Sequence, residues 1–261
     1  MTETPYVLRA DDDGVTTLTL NRPQARNALS QGMLEALRAA LADIAADASV
    51  QVLIIAGSGP AFCAGHDLKE LRAGNYDPGY VDRLFAACAE VMQAIVHLPK
   101  PVIARVHGVA TAAGAQLVAS ADLAFAADDA RFATPGVNIG LFCSTPMVAL
   151  SRNLTRKHAM QMLLSGDLID AETAFRFGLV NEVVPAAELE QRTLAFARQI
   201  ASKSPLTLAI GKEAFYRQAE LSLADAYAYT SQVMAKNLQA EDAKEGIDAF
   251  LGKRQPVWCG R

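Results

Sequence analysis

The sequence predicts an α/β fold followed by a helical region, and three observations carry that expectation. Short strand-like runs alternate with amphipathic helical segments through the first half. Strand signals then almost vanish beyond about Thr155, and no Ser-, Gly- or Pro-rich linker separates the two parts. At 261 residues, 51% of them hydrophobic and 20% charged, the chain can bury one sizeable core, or one core and a small appendage.

Val15 to Leu20 (VTTLTL) is β-branched and alternating, a strand that Asn21, Arg22 and Pro23 end. From Ser30, a plausible N-cap, Leu34, Leu37, Leu41 and Ile44 recur at three- and four-residue steps opposite Glu35, Arg38 and Asp43, which predicts an amphipathic helix. Val50 to Ala56 and Val102 to Val106 are apolar runs suited to strands covered on both faces. Between them, Val81 to Leu98 has helical spacing and stops before Pro99. A helix is expected from about Ala112 and a short strand over Leu123 to Ala126. Residues 156–164, 170–177, 186–202, 205–218, 222–237 and 240–250 all favour helix.

A net charge of −4 with scattered cations gives no basic footprint for nucleic acid. No apolar run approaches the ~20 residues needed to span a bilayer, so no membrane partner is expected. The four cysteines match no metal-ligand spacing, and no His-Glu-x-x-His motif is present, so no metal is expected. Reduced thiols and an acidic start, where a mitochondrial transit segment would be Arg-rich, lead to the expectation of a cytoplasmic protein.

Two stretches could carry chemistry. GSGPAFCAGHDLKEL, from Gly57, follows a strand and precedes a helix-like segment, but its glycines fit neither the dinucleotide fingerprint nor the P-loop. A tight turn needing small residues is one reading. The other is that the free N–H groups at Gly65 to Leu68 face a ligand oxygen. VHGVATAAGAQLVASAD, from Val106, has the same layout, with Gln116 standing among small residues. Two such junctions could together hold one developing oxyanion, although helix packing alone also selects Ala and Gly. A Gly-x-Ser-x-Gly elbow is absent, which argues against the usual serine hydrolases. Cys143, Ser144 and Thr145 are nucleophile-capable, but no base is identifiable beside them.

Taken in order, LTLNRPQARNAL, VLIIAGSGPAFCAGHDLKEL, PVIARVHGVATAAGAQLVASADLAFA, RFATPGVNIGL, GLVNEVVP, SPLTLAIGKEAF and EGIDAFLGKRQPVW resemble the crotonase, or enoyl-CoA hydratase/isomerase, superfamily over essentially the whole chain. The resemblance implies a spiral of ββα units over residues 1–200 with the acyl-CoA site, and a helical oligomerisation region over 201–261 that packs a homotrimer or a dimer of trimers. It implies no cofactor beyond coenzyme A as part of the substrate thioester. The thioester carbonyl would accept N–H bonds from His66 and Ala113. Arg26 and Lys69 would meet CoA phosphates, and Ala28, Ala64, Asp67 and Leu68 would line the path of the CoA. Members that hydrate enoyl-CoA carry glutamates at the positions of Gln116 and Gly136, and some others carry a carboxylate at that of Ser144. None of those carboxylates is present.

The expectation is therefore an acyl-CoA-handling protein of lyase or isomerase type that stabilises a thioester enolate, with efficient enoyl-CoA hydration doubtful. A non-catalytic acyl-CoA-binding or regulatory protein is one alternative, and a weak hydratase or isomerase of fatty-acid metabolism is another. The acyl-chain walls would come from residues 72–82 and 137–145.

Overall fold

The computed structural model describes residues 4–261. Its core is a six-stranded sheet in the order β1-β2-β3-β4-β6-β9, beside a three-stranded sheet in the order β5-β7-β8. In chain order the elements are β1 (Val7–Asp12), β2 (Val15–Leu20), α1 (Gln31–Ala46), β3 (Val52–Gly57), α2 (Leu68–Ala73), α3 (Pro78–His97), β4 (Val102–Val106), β5 (Val109–Thr111) and α4 (Ala113–Ser120). There follow β6 (Leu123–Ala127), β7 (Arg131–Ala133), α5 (Ser144–Asn153), α6 (Arg156–Ser165), β8 (Ile169–Asp170), α7 (Ala171–Phe177) and β9 (Glu182–Val184). The helices α8 (Leu189–Ala201), α9 (Pro205–Gln218), α10 (Leu223–Leu238) and α11 (Glu241–Leu251) complete the chain.

From β2 to β9 the large sheet is parallel. It is buried on both faces, which is why its central strands read as continuous apolar runs. Leu53 and Ile55 point into the larger core beneath α1, α3 and α4, while Val52 and Ile54 point into a second core closed by Leu189 and Ala197 of α8. Ser30 caps α1 by accepting from the Met33 N–H, as its position suggested, and Leu34, Leu37, Leu41 and Ile44 are buried.

Several strands are absent from the sequence reading. β1 forms an antiparallel hairpin with β2 through Asp13 and Gly14, both at positive φ. Most of β1 is exposed, so it carries no alternation to detect. β5, β7, β8 and β9 have two or three residues each, too few to establish a period. The helices 156–164, 205–218 and 240–250 appear within a residue or so of their expected bounds.

A polar cluster around Lys212 fastens the helical tail to the core. Lys212 of α9 donates to the Ile95 and Lys100 carbonyls at 2.9 and 3.0 Å and pairs with Asp122 at 2.7 Å. Asp122 also accepts from the Val102 N–H and the Tyr216 hydroxyl. No helix among the described residues is long and apolar enough to cross a membrane.

Candidate functional site

The segment from Ala61 to Asp67 runs between two stretches of backbone and is hydrogen-bonded to both. On one side Phe62 and Cys63 donate to the His107 and Val109 carbonyls, and Thr111 donates to the Cys63 carbonyl. On the other, Ala64 donates to the Arg26 carbonyl, Leu29 donates to Gly65, and Asp67 donates to Leu29. The segment is thereby fixed on both flanks without belonging to a named strand.

This threading brings the two strand-to-helix junctions against each other. Gly65 has φ of 91°, and a Cβ built on it would lie 2.9 Å from the Ala112 Cβ and 3.4 Å from the Ala113 nitrogen. Gly114 lets the Cys63 carbonyl approach so closely that a Cβ there would be 2.1 Å from its oxygen. Small residues at these positions are therefore demanded by backbone contact. Among the described residues, neither the His66 nor the Ala113 N–H has an intrachain acceptor. Ala112, at φ 51° and ψ −117°, holds a conformation that favours glycine and costs on the order of 1–3 kcal/mol. That strain turns the chain from β5 into α4.

The side chains around the junctions divide into committed and uncommitted groups. Asp67 accepts from the Lys69 and Glu70 N–H groups at the start of α2 and pairs with Arg22 at 2.6 Å. Burial pushes its carboxyl up, but the Arg22 bond and the two amides outweigh this and hold it below its ordinary value. Asp67, expected among the groups lining the CoA path, thus spends its carboxylate on a helix cap and an ion pair. Arg26, Leu68 and Lys69 are exposed, Ala64 is half-buried and Ala28 is buried.

Gln116 is 5% exposed and its Oε1 has no hydrogen-bond partner. Both ring nitrogens of His66 are likewise unpartnered, and the ring stands edge-on to Phe85 at 5.0 Å. Burial pushes the His66 pKa below its ordinary value, and the Leu29 backbone, near the ring but outside hydrogen-bond geometry, pulls it partly back. Folding is then disfavoured wherever the unfolded imidazole takes up a proton that the folded one resists. Stability is expected to hold above about pH 6.5 and to fall as the pH drops below it, and His66→Leu should flatten that slope in urea titrations between pH 5 and 8.

A Cβ at Gly136 would lie 2.5 Å from the Leu141 oxygen and 2.9 Å from Cys143 Sγ. The loop that returns through Leu141, whose N–H donates to the Gly136 carbonyl, leaves no room for a side chain at that position. Burial raises the Cys143 thiol pKa, with the Gly136 backbone opposing, so the thiol stays protonated near neutrality. Ser144 is exposed and its hydroxyl turns to the Phe142 carbonyl at 3.4 Å. No group of three or more His, Cys, Asp or Glu suited to a metal occurs among the described residues.

Asn27 is a site-building residue that the sequence reading passed over. It is fully buried at φ 54°, accepts from the Arg22 N–H, and donates to the Ser58 and Ala61 carbonyls. It ties the turn around Arg26 to the loop leading into His66. Asn is among the few side chains that tolerate this backbone conformation, which was the available signal.

A family model described as enoyl-CoA hydratase/isomerase matches residues 10–261. Human enoyl-CoA hydratase domain-containing protein 3, mitochondrial, is 49% identical over 94% of this chain and 81% of its own length. The rat protein of the same name is 48% identical over 94% of this chain and 82% of its own. The crystal structure of an enoyl-CoA hydratase from Mycobacterium smegmatis superposes with a TM-score of 0.95 at 53% identity, covering 98% of this chain and 99% of that one. That of the human domain-containing protein 3 gives 0.94 at 47% identity, covering 97% and 100%. The fold is the one the motifs led to expect. The cytoplasmic location expected from the sequence is overturned by the human and rat relatives, which are named mitochondrial. Reduced thiols report a reducing environment and do not distinguish one such compartment from another.

Proposed function

Because the chain belongs to the enoyl-CoA hydratase/isomerase family, we propose that it binds an acyl-CoA thioester with the carbonyl oxygen between the His66 and Ala113 amides, and stabilises the enolate rather than hydrating a double bond efficiently. The observation that carries this is the meeting of the two junctions, with the backbone at Gly65 against the Ala113 nitrogen and both amides unengaged. Negative charge develops on the thioester oxygen as the enolate forms. A fixed donor aimed at that oxygen is worth ~3 kcal/mol in the transition state. The start of α4 adds the positive end of its dipole.

Hydration needs more than this hole. A base must activate water, an acid must protonate the α-carbon, and each contributes ~10² to 10⁴ in rate. Gln116 can orient a water but cannot exchange a proton near neutral pH, and Gly136 has no side chain. Asp67, the acidic group in the adjoining loop, is held by Arg22 and two amides. Arg26 and Lys69, both exposed, are in our reading the contacts for CoA phosphates. Leu223, Tyr227, Met234 and Phe250 are apolar and exposed on the tail helices, and a homotrimer would cover them.

Crotonyl-CoA is expected to bind and to be hydrated only feebly, and Gln116→Glu is expected to raise that hydration ~10²-fold by supplying one carboxylate. Calorimetric titration measures the first and absorbance at the enoyl band the second. Hydration by the unaltered protein at ordinary enzyme rates would refute the reading. A panel of acyl-CoAs followed by mass spectrometry separates turnover from binding alone.

A further inference from the structure

The direction of the His66 N–H is fixed from the far side of its own peptide. In a trans peptide the C=O and the N–H point opposite ways. The Gly65 carbonyl accepts from the Leu29 N–H at 2.7 Å, and the Leu29 carbonyl accepts from the Asp67 N–H at 3.3 Å, so Leu29 and His66 form a parallel bridge in which only the groups of Leu29 are engaged. The His66 N–H therefore points away from Leu29. Whatever places Leu29 aims that amide.

Leu29 is placed by the tight turn that precedes it. Arg26 and Asn27 follow one another at φ 50° and 54°, a left-handed pair that glycine adopts readily and Asn tolerates better than most side chains. The Asn27 side chain holds this turn. Its Oδ1 accepts from the Arg22 N–H at 2.8 Å, and its Nδ2 donates to the Ser58 carbonyl at 2.9 Å and the Ala61 carbonyl at 2.8 Å. Both amide hydrogens are thus used in a fully buried place, which leaves the group one orientation. Arg22, at the start of the same turn, pairs with Asp67 at 2.6 Å. The turn is clamped to the threaded segment at Ala61, before His66, and at Asp67, after it.

We propose that Asn27 is a positioning residue for the His66 amide: it holds the turn that fixes Leu29, and Leu29 holds the Gly65 carbonyl whose peptide carries that N–H. This rests on the thioester reading above. A donor stabilises a developing charge fully only when it is already aimed and need not be turned during the reaction. A buried side chain thereby governs the strength of the bond to the thioester oxygen from behind the peptide that makes it. The amide is required for this, since a carboxylate in its place keeps the Arg22 bond but has no hydrogen for Ser58 and Ala61.

The test compares the full-length protein with its Asn27→Asp and Asn27→Gly variants. Each is titrated with butyryl-CoA and with S-butyl-CoA, which lacks the carbonyl, and the carbonyl stretch of bound butyryl-CoA is read by infrared difference spectroscopy. In the parent, butyryl-CoA is expected to bind about three- to tenfold more tightly than S-butyl-CoA, as one net hydrogen bond provides, with its carbonyl band moved to lower frequency. Both signals are expected to be lost in either variant and to survive in Lys212→Met, which loosens the tail anchor instead. If neither Asn27 variant folds, replacing Leu29 by its α-hydroxy-acid analogue, which removes one N–H and no side chain, is expected to abolish them. Retention of either signal in a folded Asn27 variant, or in the Leu29 ester, overturns the proposal and leaves the thioester reading standing. Loss of the signals in Lys212→Met as well does the same, because it traces them to general loosening. A parent that lacks the preference or the band shift overturns both.

Discussion

Gly114→Ala is expected to destabilise the protein by roughly 3 kcal/mol and to weaken acyl-CoA binding at least tenfold, although it adds a single methyl group. The new Cβ would start 2.1 Å from the Cys63 oxygen and 2.8 Å from its carbonyl carbon, so backbone must move. The backbone in question is the middle of the threaded segment. Shifting Cys63 strains its bond to the Val109 carbonyl and the one it accepts from Thr111, and pulls the His66 amide away from Ala113. Urea midpoints and titration with butyryl-CoA read the two effects. Gly211 in α9 is the control, since a Cβ there meets nothing within 4 Å. Gly211→Ala is expected to gain about 0.5–1 kcal/mol from helix propensity and to leave binding unchanged. A Gly114→Ala protein as stable as the parent would mean that the Cys63 carbonyl can yield without consequence.

Lys212→Met is expected to cost about 3–5 kcal/mol, the range for removing one member of a buried ion pair. Its side chain is 8% exposed and satisfies two main-chain carbonyls as well as Asp122. Burial pushes the lysine pKa down, with Asp122 opposing, so the amine is held by its partner against the cost of desolvation. Without it, Asp122 keeps the Val102 N–H and the Tyr216 hydroxyl but carries a partly buried charge with no cation. Adding Asp122→Asn should return part of the loss, since the uncompensated charge goes with it. The single tryptophan, Trp258, donates to the Ser202 carbonyl and reports the tail by fluorescence during unfolding. A mild effect of Lys212→Met, below about 1 kcal/mol, would place the anchoring of the tail elsewhere.

The fold was legible where elements are long and one-sided. α1 and α3 show their buried stripes in the spacing of Leu34, Leu37 and Leu41, and of Leu84, Cys88, Val91 and Ile95, because a helix against a sheet buries one face only. β3 showed itself as an unbroken apolar run because both its faces are covered. What could not be read is the small sheet, in which Val109–Thr111 and Arg131–Ala133 pair through three residues each. Composition over so short a span cannot distinguish strand from turn.

The candidate site divides in the same way. The small residues of the two junctions pointed to close backbone approach, and the resemblance directed attention to His66 and Ala113. The role of Asn27 depends on where its amide ends up, spanning from Arg22 to Ser58 and Ala61, and spacing in the chain does not encode that. The commitment of Asp67 to Arg22 is hidden for the same reason, since the two lie 45 positions apart. At Gly136 the sequence shows a missing side chain but not its geometric cause, the Leu141 carbonyl.

The segment between Ala61 and Asp67 is held chiefly by peptide groups on both flanks, with the Asn27 amide and the Thr111 hydroxyl adding bonds to the Ala61 and Ala64 carbonyls, and most substitutions leave peptide groups chemically intact. A cradle assembled largely from them survives the exchange of side chains at its rim. Such a scaffold can change the side chains at its rim while its backbone mould endures.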